Sequence, residues 1–299
     1  MKEIFLPTSV QNGAKRSSIG LLFAIAMIFP RLNASAQEVN LGTANNFEVL
    51  SATGISSTGP TVINGNIGAT PITGAAITGL TAGQVNGTIY TTDAAGPAGS
   101  VMDPGRLTTA MHDLTTAFNT AAGLTPNRNL TGQDLGGLTL TPGVYSFSSS
   151  ADLTGTLTLN DEGNPDAVFV FQIGSSLTTA GSVVTINDPS STPGTSVFWQ
   201  VGSSATLGTS TAFEGNILAA DSITLDTSAT DLDGRLLAET GAVTLDDNTI
   251  TAPPAEVQGG GGGGNGAPDA GGTLPLLGSA VVALFAFGRR FSGSFGKPD

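Results

Sequence analysis

The sequence predicts a mainly β protein, a β-solenoid of triangular cross-section with one long α-helix packed alongside. Two observations carry this expectation. After Gly137 the chain aligns with itself: segments beginning at Val168, Val197, Ile217 and Leu236 share the order apolar strand, Gly- or Ser-bearing turn, alternating strand. Their starting points lie 29, 20 and 19 residues apart, the longest interval absorbing the turn-rich insertion "NDPSSTPGT". A period near 20 with three short strands per period suits coils stacked through parallel ladders about 4.8 Å apart. The second observation is that one segment alone between residues 37 and 252 has helical periodicity.

Each element has a local reason. The first strand of each coil ("VFVF", "VFWQ", "NILA", "RLLA") is apolar on both sides, so its outer side needs a cover. The second strand alternates, with Ala205, Leu207, Ile223, Leu225, Val243 and Leu245 expected inward. Between them Thr206, Thr224 and Thr244 point outward, and the pattern extends the column to Thr178 and Thr154. The cover is supplied by "DPGRLTTAMHDLTTAFNTAAG", a helix expected over about residues 104–122. Leu107, Ala110, Met111, Leu114, Ala117, Phe118 and Ala121 form one apolar face. Asp103 can cap its start, Pro104 suits the first turn, and Gly123 can end it.

Composition restricts the function classes. The chain has 299 residues and only 11% are charged; 42 are glycine and none is cysteine. Disulfides, thiolate metal sites and cysteine nucleophiles are therefore excluded. His112 is the single histidine and lies within the helical pattern, which leaves no His-based triad or zinc site; no enzyme activity, catalytic residue, metal or cofactor is expected. Between Gln37 and Gly266 the basic residues are Arg106, Arg128 and Arg235 against 20 acidic ones. Such a surface repels phosphate backbones, so nucleic acid is not an expected partner. Asp161, Glu162 and Asp166 in "NDEGNPDA" sit in a Gly/Pro turn, where calcium is left open.

Both ends read as addresses. Lys15 and Arg16, the apolar run Ile19–Pro30 and Ala34-Ser35-Ala36 form a secretory signal over residues 1–36. Its 12 apolar residues fall short of the roughly 20 that cross a bilayer. The body of residues 37–252 is followed by a Gly-rich linker, 253–266, and a tail, 267–299. The tail joins Ala267-Pro268-Asp269-Ala270-Gly271, an apolar segment from Leu274 to Phe287, and Arg289-Arg290. It resembles the Pro-Glu-Pro/Val-Pro-Asp-Ser-Gly-type sorting signals of Gram-negative bacteria, with Ala267 and Ala270 replacing the usual Val and Ser. That resemblance implies an exosortase-like processing protease and delivery to the outer cell surface or the medium, with transient anchoring by the tail. A plain hydrophobic anchor is the alternative.

The body as a whole is similar to a known family. "LGTANNFEVLSATGISSTGPTVINGNIG", "TTAFNTAAG", "LTPGVYSF", "VFVFQIGSSLTT", "VFWQVGSSATLGTSTAFEGNILAADSITL" and "GRLLAETGAVTLDDNTIT" resemble the microbial ice-binding domain over about residues 40–252. The resemblance implies a right-handed discontinuous solenoid, with the N-terminal strands completing the stack out of sequence order, and a flat face that adsorbs to ice. Ice and its ordered water layer are then the expected partner. The candidate ice-binding residues are Thr154, Thr178, Thr206, Thr224 and Thr244, with Thr53 added if the N-terminal strand joins the face. Thr58-Gly59-Pro60-Thr61 and Thr78-Gly79-Leu80-Thr81 fit the Thr-Ala/Gly-x-Thr/Asn motif associated with some members. Asp226 and Asp246, two positions along from the threonines, count against a flat face. A surface adhesin or matrix protein built on the same solenoid is the alternative function.

Overall fold

The computed structural model describes residues 39–187 and 194–251. The expected signal, linker and tail lie outside the described residues. The body is a stack of parallel coils with three faces and one α-helix, Pro104–Gly123, matching the expected span within a residue.

On the first face, Gly143–Phe147 pairs with Val168–Ile173, which pairs with Ser196–Val201, and so on through residues 216–219 and 235–238. The next rung is not later in the chain but earlier: Val49, Leu50 and Ser51 lie opposite Leu236, Leu237 and Ala238. Ile67–Ala69, Ile89–Thr91 and Val101–Met102 then complete this end, while Arg128–Asn129 closes the other. The stack is thus discontinuous, with a seam where the last coil meets the first. The other faces cross the same seam, Ile55–Thr58 on Val243–Asp246 and Val62–Asn64 on Thr249–Thr251.

The ladder register corrects the sequence alignment of the first strands. Val197 lies opposite Phe169, not Val168, and Ile217 lies opposite Trp199, not Val197, so these spacings are 28 and 18 residues. The spacing of 19 from Ile217 to Leu236 stands. The first strands are apolar on both sides, so hydropathy alone cannot distinguish a register shift of one residue.

The two apolar sides of this face fill two cores. Inward, Phe169, Phe171, Trp199, Ile217 and Leu236 line the solenoid interior; outward, Val144, Val170, Phe198, Leu218, Leu237 and Leu50 meet the helix. Within the interior, Tyr145, Phe171, Trp199 and Phe213 form a continuous aromatic series. The Phe171 and Trp199 rings stack at 4.0 Å and 8°. Equivalent positions on successive coils must superimpose at the ladder spacing, which suits flat rings stacked on one another.

The helix does more than cover. Val101–Met102 is at one end of the stack and Arg128–Asn129 at the other, so residues 103–127 return the chain along its length. Twenty residues of helix span about 30 Å of that path. Leu107, Ala110, Leu114, Ala117 and Ala121 are buried against the face, and the alanines allow close approach; Met111 and Phe118 pack at the margin. Asp103 Oδ1 accepts from the Arg106 amide at 3.0 Å as the N-cap. At the far end, Gln172 of the solenoid donates to the carbonyls of Ala121, Ala122 and Leu124, pairing C-terminal carbonyls that the helix leaves open.

One interior residue is chemically out of place. Asp231 lies in register with Phe213 and Ile250, fully buried, and neither carboxylate oxygen has a hydrogen-bond partner. Burial raises its pKa well above the usual carboxylate value, with the Glu214 charge adding to the shift and Arg235 opposing it. The folded state therefore binds this proton more tightly than the unfolded chain does. Its stabilising contribution is complete below the unfolded value of about 3.9 and is lost as pH rises through the folded one. Asp231→Asn should be more stable than the parent at pH 8, with the advantage shrinking toward pH 4, as measured by Tm across that range. Trp199→Ala should cost about 3–5 kcal/mol in denaturant unfolding, because it opens a cavity inside the aromatic series.

Candidate functional site

The second face carries the threonines. Its inward side carries two columns, Leu177–Ala205–Ile223–Val243–Ile55 and, two residues along each strand, Thr179–Leu207–Leu225–Leu245, all buried. Strand alternation then forces the residues between them outward. Thr178 lies opposite Thr206, Thr206 opposite Thr224 and Thr224 opposite Thr244. Across the seam Thr244 lies opposite Ser56, and Ser56 opposite Thr78. These six hydroxyl residues form one column, about 24 Å from end to end at the ladder spacing.

Two expected members fall elsewhere. Thr154 is opposite Ala180, and the rung below Thr178 is held by Asp152. A bulge at Gly155, where the register shifts between Thr154 and Thr156, accompanies this displacement. Thr53 is exposed in the turn between Val49–Ser51 and Ile55–Thr58, its amide donating to the Gly241 carbonyl, so Ser56 takes the seam rung instead. Ser56 was missed in the sequence, and Thr78 was singled out there only through its Thr-Gly-Leu-Thr motif, not as a member of this column. Their strands are short, and only the pairing across the seam shows which N-terminal residue continues the column.

The flanking columns are mostly small. On one side stand Ser176, Ser204, Ser222, Ala242 and Gly54, adjacent through the bonds from Leu177 to Ser204, Ala205 to Ser222, Ile223 to Ala242 and Val243 to Gly54. On the other side stand Ala180, Gly208, Asp226, Asp246 and Thr58. The aspartates were the features that counted against this face. Asp246 is half-buried, and its two oxygens accept hydrogen bonds from Thr58 Oγ1 at 2.7 Å and from Thr227 Oγ1. It lies along the edge of the face, holding hydroxyls.

The corner beyond this edge is built by internal polar residues. Asn248, nearly inaccessible, donates to the Asp226 and Ala229 carbonyls and accepts from the Asp246 amide. Thr61, fully buried, accepts from Ser57 Oγ and the Asn248 amide, which makes this second threonine of Thr58-Gly59-Pro60-Thr61 a structural residue. In the companion motif Gly79 has φ +71° and a Cβ there would stand 1.8 Å from the Ser57 carbonyl oxygen, so only glycine fits. The two motifs thus build the corner, and only Thr58 and Thr78 present hydroxyls on the face.

Other residues singled out in the sequence lie apart. His112 is exposed on the outer side of the helix, 3.9 Å from Asp113. The 160–167 turn is held by its own bonds, Gly163 to Asp161 Oδ1, Glu162 to Asn160 Oδ1 and Asp166 to Asn164 Oδ1. Among the described residues no cluster of three acidic or histidine side chains is arranged to hold a metal.

The profile of the Ice-binding-like family matches residues 49–251, which covers the stacked coils and the helix. The chain belongs to this family. An ice-binding protein of Nostoc sp. (strain HG1) is 46% identical over 280 residues, covering 91% of this chain and 95% of that protein. One from Flavobacterium frigoris (strain PS1) is 43% identical, covering 72% of this chain and 76% of the relative. Among solved structures, an ice-binding protein from an Arctic yeast superposes with TM-score 0.65 at 33% identity, over 79% of this chain and 98% of the other.

The corner predicts its own sensitivity. Asn248→Ala leaves two carbonyls and one amide without their partner in a site closed to water, and should cost about 2–4 kcal/mol in denaturant unfolding.

Proposed function

We propose that this protein binds ice, and that the face bearing Thr178, Thr206, Thr224, Thr244, Ser56 and Thr78 is the adsorbing surface. The single observation that carries the reading is the unbroken column of six hydroxyl residues in ladder register, continued across the seam by chain from the N-terminus.

The physical argument runs from spacing to water. Rungs about 4.8 Å apart approach the oxygen repeat of the ice lattice. β-Branched threonine has few χ1 options, so neighbouring hydroxyls and methyls repeat in rank. Water ordered along such a column resembles a lattice layer before contact, and the rigid coils lose little conformational entropy on adsorption. Small residues on the flanking column keep the surface level. Ice between adsorbed molecules must then grow with a curved front, which slows growth and recrystallisation.

The sequence of the ends supports an exported, surface-displayed or released form, with residues 267–299 as substrate of an exosortase-like protease. On this reading no catalytic chemistry is required of the protein.

Thr224→Tyr should reduce thermal hysteresis and recrystallisation inhibition by more than half at equal concentration. Its Tm should stay within about 2–4 °C of the parent, because the side chain points to solvent. Full activity in this variant and in Thr206→Tyr would move the site to another face. Normal ice growth with the parent protein would favour an adhesin or matrix role instead.

A further inference from the structure

We infer that Asp246 is a positioning residue of the ice-adsorbing face, tying the two chain-distant halves of that face together through threonine hydroxyls. The inference rests on the reading of this face as the ice-binding surface.

The seam is where the face is most vulnerable. Elsewhere on this face neighbouring rungs are one coil apart in sequence, 18 to 28 residues from Thr178 to Thr206, Thr224 and Thr244, whereas Val243–Asp246 and Ile55–Thr58 are separated by most of the chain. At this junction the Asp246 carboxylate spans three successive coils. Oδ1 accepts from Thr58 Oγ1 of the N-terminal coil at 2.7 Å, and Oδ2 accepts from Thr227 Oγ1 of the preceding one. The Thr58 carbonyl accepts from the Asp247 amide at 2.9 Å, and Ser228 Oγ reaches Asp247 Oδ2 at 3.1 Å, so the tie is braced on both sides.

The ionised carboxylate also sets hydroxyl polarity. A carboxylate has only acceptors, so both threonines must turn their protons toward it. Their remaining lone pairs then face the water layer as acceptors in fixed directions. A side chain without acceptors, such as alanine, would remove this constraint on both hydroxyls. The bonds from Thr227 and Thr58 hold the Asp246 pKa below the ordinary carboxylate value, so the tie is charged throughout the neutral range. The contribution is present above the unfolded value and is lost as pH falls through the folded one.

The charged groups sharing this edge are Asp226, on the adjacent rung, and Asp247. The seam-side strand Ile55–Thr58 brings none, and Arg235, the basic residue of the same coil, turns instead to Asn216 and the Asn45 carbonyl. The hydroxyls are thus the groups that compensate the Asp246 charge.

Thermal hysteresis of the full protein, Asp246→Ala, Thr58→Val and the double variant, followed along a descending pH series from pH 7, tests this. Each single variant should lose roughly twofold or more at pH 7, and the double variant should lose no more than Asp246→Ala alone. Parent activity should fall toward the Asp246→Ala level as the pH drops through the folded Asp246 value, which lies below the ordinary carboxylate value, with the variant nearly flat over the same series. Circular dichroism along the same pH series monitors folding. Should Asp246→Ala unfold, Thr58→Val carries the test, since it keeps the side-chain shape and removes only the donor. Parent-like activity and pH profile in both single variants would overturn the inference while leaving the ice-binding reading intact. An inactive parent would instead overturn the ice-binding reading on which it rests.

Discussion

The parallel ladder between coils is the constraint on which everything else depends. Every rung is placed by backbone hydrogen bonds to the rung before it, so a side chain inherits its position from its neighbour and not from its own sequence context. That is why Leu207, Leu225 and Leu245 superimpose inside while Thr206, Thr224 and Thr244 superimpose outside. A slip of one residue would exchange these sets, exposing leucine and burying threonine. The internal penalty for that exchange holds the outer column in place, so the hydrophobic interior sets the geometry of the hydroxyl face.

The same ladder creates two problems that the rest of the fold solves. A first strand apolar on both sides cannot face water, and a stack that begins with N-terminal chain at one end must return to the other. The helix meets both needs, covering Val170, Phe198, Leu218 and Leu237 while carrying the chain back along the face. Capping differs between its ends. The start is capped by local Asp103, whereas at the finish the Leu124 amide donates to the Ala121 carbonyl and Gln172 from a distant strand supplies a further donor to the carbonyls of Ala121, Ala122 and Leu124.

The seam concentrates the polar residues that hydropathy reading passes over. Ser51 donates to the Gly241 carbonyl, Arg235 to the Asn45 carbonyl, the Asn248 amide to Thr61 and Asn64 to Thr251. Each bond joins chain near residue 50 to chain near residue 240. The threonines of Thr58-Gly59-Pro60-Thr61 divide the work at this junction. One is buried in the corner and the other stands at the edge of the face, although the two are alike in composition and three positions apart.

Periodicity by itself determined that the body is a stack of three-stranded coils, that a single amphipathic helix covers its doubly apolar face, and that Thr206, Thr224 and Thr244 share an outward column. These follow from alternation and repeat length, which are local properties of consecutive residues. The resemblance to the ice-binding family supplied the out-of-order stacking, which no local pattern encodes. Only the tertiary structure decided that Asp152, not Thr154, lies below Thr178, that Ser56 and Thr78 extend the column in place of Thr53, and that Val197 pairs with Phe169. In each case the deciding event is a register choice between strands separated by a bulge, by an insertion or by most of the chain. Such a choice depends on which backbone groups meet in space, and residues adjacent in sequence carry no record of it.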